Sequence, residues 1–190
     1  FSDLGLRMQG ASSPQRFPGL VFDEAHNVEA VAGDHLGLSI TSGQVEYVLG
    51  KLYNDRTNRG LLVHHRFGEG QQQVMECRHR ADDFFSEIDA WLARQGKGNG
   101  RVRQPEIVPN PLTEGLKKLA GMVRRRGEKI KSPDERLELT SAADRLTVLG
   151  DAIEQWRRQQ LDDSVYWIEA SWWRNRRRIV LVLNVVIVAF

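Results

Sequence analysis

From residue 74 to residue 156 the apolar residues recur in steps of three and four. Val74, Cys77, Ala81, Phe84, Ile88 and Trp91 make one such series. Leu112, Leu116, Leu119, Val123 and Ile130 make a second, and Leu139, Ala142, Leu146, Leu149, Ile153 and Trp156 a third. This spacing puts a narrow apolar seam on one side of a helix, and such seams bury themselves by packing helices side by side as antiparallel hairpins. The punctuation agrees. Asn110-Pro111 reads as a cap followed by proline at the first helical position. Ser132-Pro133-Asp134-Glu135 reads as a capping box. Three glycines in 95–100 form a loop after a helix expected over about 70–95, and 105–111 is an extended connector. Thr41 and Ser42 are caps for an earlier helix whose buried face is Val45, Val48, Leu49 and Leu52. The middle of the chain is therefore expected to be four helices, with strands confined to its two flanks.

Composition sets few further bounds. The 190 residues suffice for one good core, or a core with an appendage. A net charge of +2 means that any nucleic-acid surface has to come from local clusters of arginine. One cysteine excludes an internal disulfide or a multi-cysteine metal site and fits a reducing cytoplasm. The run from Ile179 to Phe190 is almost all apolar, yet shorter than the roughly 20 residues that span a bilayer, so no membrane partner is expected. The chain opens at Phe1 in mid-pattern and stops inside that run, so it is expected to be a piece of a longer protein.

The flanks carry the chemistry. Leu20-Val21-Phe22 is an apolar run behind Phe17-Pro18-Gly19 and leads into Asp23-Glu24-Ala25-His26. A short apolar run bounded in this way suits a buried parallel strand, and such strands present ligand sites at their carboxyl ends. Asp23 can hold Mg²⁺ through its waters, and Glu24 can orient or deprotonate the water that attacks a nucleotide phosphate. Asn27 then caps a short helix that Gly33 ends, and Leu36 to Ile40 reads as a second strand. Val165 to Ala170 and Ile179 to Val188 read as returning strands with an arginine-rich loop between them. The fold class is mainly α with flanking strands, an α/β arrangement.

Asp23-Glu24-Ala25-His26 is the Walker B signature of the DEAH group of superfamily-two helicases. Phe1 to Arg7, Asp23 to Glu29, Ala32 to Leu38 and Val165 to Glu169 resemble DinG-type, XPD-like DNA helicases. The resemblance is specific over roughly the first 65 residues and thinner beyond them. It implies that 1–41 belong to a RecA-like motor domain, that 42–162 are an inserted antiparallel helical arch, and that 163–190 return to the motor. It also implies an ATP-dependent DNA helicase using ATP and Mg²⁺, with Asp23, Glu24 and His26 at its nucleotide site. His26 would link that site to the DNA-bound motor elements. The expected partner is single-stranded or forked DNA, unwound 5′ to 3′ by a cytoplasmic monomer. Many members carry an iron–sulfur cluster whose four cysteines lie upstream of the box; no such ligands are in this chain. No Gly-x-x-x-x-Gly-Lys-Ser/Thr loop occurs either, so these residues hold half of a catalytic site and are expected to be inactive alone. The tail from Leu181 to Phe190 departs from the family pattern.

Two arginine clusters are candidate DNA contacts. Arg124, Arg125 and Arg126 fall late in a helix, where cations also favour the helix dipole. Arg174, Arg176, Arg177 and Arg178 follow Trp172-Trp173, a mixture that suits single-strand stacking. Cys77 is expected to be a core residue, and His64-His65 a solvated loop. A different class of function, a helical scaffold or interaction module with an incidental acidic box, predicts a complete protein without a nucleotide site.

Overall fold

The structure is a computed structural model describing residues 37–96, 98–162, 164–173 and 176–185. In chain order the elements are β1 (Leu38–Thr41), α1 (Ser42–Leu52), α2 (Leu61–His64), α3 (Gly68–Arg94), β2 (Arg101–Val102), α4 (Pro111–Glu128), α5 (Pro133–Arg158), β3 (Ser164–Trp173) and β4 (Arg176–Val185). The described chain is mainly helical, with one small antiparallel sheet in the order β1-β4-β3-β2.

The expected caps form. Thr41 accepts from the Gln44 amide at 2.9 Å to start α1. Asn110 accepts from the Thr113 amide at 3.1 Å with Pro111 next to it, and Ser132 accepts from the Glu135 amide at 3.5 Å. Each satisfies an amide that the first helical turn leaves without a partner. α4 and α5 fold back on each other as an antiparallel hairpin. Leu112, Leu116, Leu119 and Val123 face Leu139, Ala143, Leu146, Leu149 and Ile153, all buried. The α5 seam passes through Ala143, with Ala142 half-buried at its border. Each leucine so buried contributes about 1.5–3 kcal/mol of transfer free energy. Gly127 lets the helices meet at the turn, since a Cβ there would lie 3.3 Å from that of Leu139. The Arg136 guanidinium closes the turn on the Ile130 carbonyl at 2.9 Å.

The helices and the sheet share one core. It runs from Ile40 through Leu49, Val74, Phe84, Leu116 and Ile153 to Trp156, Ile168 and Leu181. Trp156 is almost wholly buried, and its indole N–H donates to the Val182 carbonyl at 3.0 Å. The Ile179 amide donates to the Ser42 hydroxyl at 3.3 Å, tying β4 to the start of α1. No helix among the described residues is long and apolar enough to cross a membrane.

Three expectations need correction. The segment expected as an arginine-rich loop is strand: Trp173 pairs with Arg176, so Arg176, Arg177 and Arg178 belong to β4. The alternation that buries Ile179, Leu181 and Leu183 carries the ladder back to the Trp173–Arg176 pair. Strands are not confined to the flanks, because β2 adds to the sheet from within 42–162. Gly100, at φ +77°, brings that chain onto β3, where its carbonyl accepts from the Ile168 amide at 2.9 Å. A ladder two residues long leaves no periodic signal to read. His65 is not in a solvated loop but only 6% exposed. α2 is a single turn, and it tucks this ring beneath the tip of the α4–α5 hairpin.

Candidate functional site

Asp23, Glu24 and His26, with the strand and helix expected around them, lie outside the described residues, as does Arg174. The described candidates are the two arginine runs. Successive helical residues are about 100° apart, so Arg124, Arg125 and Arg126 cannot form one patch. Arg124 pairs with Asp144 of α5 at 2.6 Å. Arg126 is half-buried, donates to the His65 carbonyl at 2.7 Å, and lies 5.7 Å from the Phe67 ring centroid. Its Nε and the Nε2 of His65 are buried without a hydrogen-bond partner, and His65 Nδ1 is 3.9 Å from Glu135. Arg126 thus holds the α2–α3 turn against the hairpin. Arg125 is exposed, with no ion-pair partner among the described residues.

Of the second run, Arg176 to Arg178 open β4, opposite the end of β3. Trp172 pairs in register with Arg177, and Ser171 with Arg178. Trp172 is 69% exposed, and Arg178 is exposed. Arg178 also borders a cleft of about 1010 Å³ between α1, the turn after it, α3 and the start of β4. Arg78 organises that cleft. Its guanidinium lies 3.3 Å from Glu46 and 3.0 Å from Asp55, and donates to the Tyr53 carbonyl at 2.8 Å. Asp82 lies on the α3 wall. These groups come from three separate elements, and no local spacing in the sequence marks them.

A further charged cluster holds the far end of the hairpin. Glu154 accepts from Arg157 at 2.7 Å, Arg158 at 2.5 Å and Asn110 at 3.0 Å. The hydrogen bond from Arg157 leads in lowering its pKa to about 2, with desolvation opposing. Arg157 also reaches Glu106 at 3.3 Å, so the connector between β2 and α4 is fastened to the end of α5. Cys77 is buried; burial pushes its thiol pKa up, although Gln73 donates to the sulfur at 3.9 Å. It is a core residue here. Among the described residues no group of three histidine, cysteine or carboxylate side chains could hold a metal ion.

No protein-family model matches this chain, and no curated protein sequence matches it.

Proposed function

We propose that the chain is part of an ATP-dependent DNA helicase of the DinG type, in which Asp23 and Glu24 serve a Mg-ATP site and the helices guide single-stranded DNA. The observation that carries the reading is Leu20 to Asn27, an apolar run ending in two carboxylates and an imidazole. Asp23 would hold the metal through water, Glu24 would orient the attacking water, and His26 would couple the site to the DNA-bound elements. The topology is compatible with an insertion, because β1 pairs with β4 although five helices separate them. In this reading 42–162 are the arch, leaving a RecA-like motor at Thr41 and rejoining it at Ser164. A phosphate loop and a second motor domain are required outside these residues. Arg125 and Arg178 are the described members of the two runs best placed to meet phosphate, being exposed and without an ion-pair partner among the described residues.

The test is made in the complete enzyme. Glu24→Gln keeps the shape of the side chain and removes the acid. DNA-stimulated ATP hydrolysis should fall on the order of 10²-fold or more while nucleotide binding survives. Asp23→Asn should also weaken the Mg²⁺ dependence. Near wild-type turnover in Glu24→Gln would sink the helicase reading.

A further inference from the structure

The sheet presents one face to the helices; the other carries no described helix except at its β4 corner, where Arg178 borders the cleft walled by α1 and α3. Strand alternation puts Trp167 and Glu169 of β3, Arg178, Val180 and Val182 of β4, and Arg101 of β2 on the open face. All are exposed or half-buried. Arg101, Trp167 and Val182 stand side by side across three strands. Arg103 follows two residues after Arg101 and is exposed. Arg178 lies diagonally across from Arg101, roughly 16 Å away by strand spacing and rise. Glu169 is the carboxylate on this face, and it accepts the Trp167 indole N–H at 3.1 Å. That bond holds the ring in place. Arg101, Arg103 and Arg178 have no ion-pair partner among the described residues.

We propose that this open sheet face is a docking surface for single-stranded nucleic acid, with Trp167 as the stacking ring and Arg101, Arg103 and Arg178 as phosphate contacts. An anchored aromatic ring accepts any unpaired base on its π face, and cations around it follow the backbone. A duplex keeps its bases stacked inside and offers this ring nothing, so charge complementarity and the ring together favour a single strand. The partner is taken from the helicase reading, and the inference rests on that reading for its choice of ligand. The surface and its residues are new to it.

The experiment uses the 190-residue chain and no nucleotide. A fluorescein-labelled oligothymidylate and a duplex of equal length are titrated at two or more salt concentrations and followed by anisotropy and tryptophan emission. The single strand should bind more tightly than the duplex. Trp167→Leu should lose on the order of 10-fold in affinity and Trp167→Phe much less. Arg101→Gln with Arg178→Gln should weaken binding and reduce the salt slope by about 1.4, two contacts at 0.7 each. Lys118→Gln, on α4, should change neither. Circular dichroism and urea midpoints establish that each variant folds. Folded Trp167→Leu and arginine variants that bind like wild type overturn the inference while leaving DNA binding in place. A wild-type chain that binds no single strand, or prefers the duplex, also overturns it. Failure of the helicase reading has a different signature, unaltered ATP hydrolysis in Glu24→Gln of the complete enzyme.

Discussion

Ile168, Leu181 and Ile40 stand in one rung across β3, β4 and β1, and each is at most 3% exposed. One residue along, Trp167, Val182 and Ser39 form the neighbouring rung on the opposite face, exposed or half-buried. The same strands therefore serve two purposes. Contact with the helices fixes the register, because a slip of one residue would exchange the two rungs. The open rung is released from that demand and can carry tryptophan and arginine. Packing against the helices belongs to one face, and the other is exposed or half-buried.

The contrast is broken most directly at Trp156, which reaches the sheet from the helical side. Trp156→Ala removes a buried indole and the donor to the Val182 carbonyl, and should cost about 3–5 kcal/mol in urea unfolding. Leu181→Ala, on the core face, should cost about 2–5 kcal/mol, whereas Val182→Thr, its neighbour on the open face, should cost less than about 1 kcal/mol. Equal losses at 181 and 182 would mean that the second face is covered as firmly as the first. Gly100→Ala sharpens the comparison at the sheet edge. Its φ is +77°, and an added Cβ would collide with the Ile168 carbonyl, so a loss of about 1–3 kcal/mol and faster exchange of the Ile168 amide are expected.

Glu154 tests the far end of the covering layer. Its folded pKa, about 2, is below the ordinary 4.5. The stability it contributes is present above pH 4.5 and is lost as pH falls toward 2. Glu154→Gln should thus be less stable than wild type at pH 7, and the gap should narrow across that window. A gap that is constant with pH would remove the carboxylate from the account. The smallest effect is expected at Arg124→Ala, which breaks an exposed pair with Asp144. It should cost about 0.2–1 kcal/mol at low salt and less at high salt.

Much of the helical part is legible because its signals are local and repeated. The caps at Asn110 and Ser132 and the seams on either side are written within a few residues of one another. The long α3, Gly68–Arg94, follows the series from Val74 to Trp91 for the same reason. What escapes the sequence is set by distant partners. β2 exists because Gly100 turns toward Ile168, and His65 is buried because Arg126 and Glu135 arrive from two other helices. The arginine run at 176–178 looks like a loop by composition, yet it extends a ladder whose apolar residues come afterwards. Of the candidate site, the acidic box is a local run of letters, Asp23 to His26, and lies outside the described residues. The Trp167 face needed three strands to be brought together.

Among the described residues β4 is the last strand in chain order, yet it stands between β1 and β3. During vectorial synthesis β1 leaves the ribosome early, and Ile40 waits without its partner Leu181 until the hairpin with β3 has been made. The α4–α5 hairpin has only neighbouring contacts to make and can pack during this interval, whereas closure of the sheet depends on contacts distant in sequence. A nascent chain halted before Arg176 should therefore protect the amides of α4 and α5 from exchange while those of β1 stay open, so the sheet acts as the late lock of the fold.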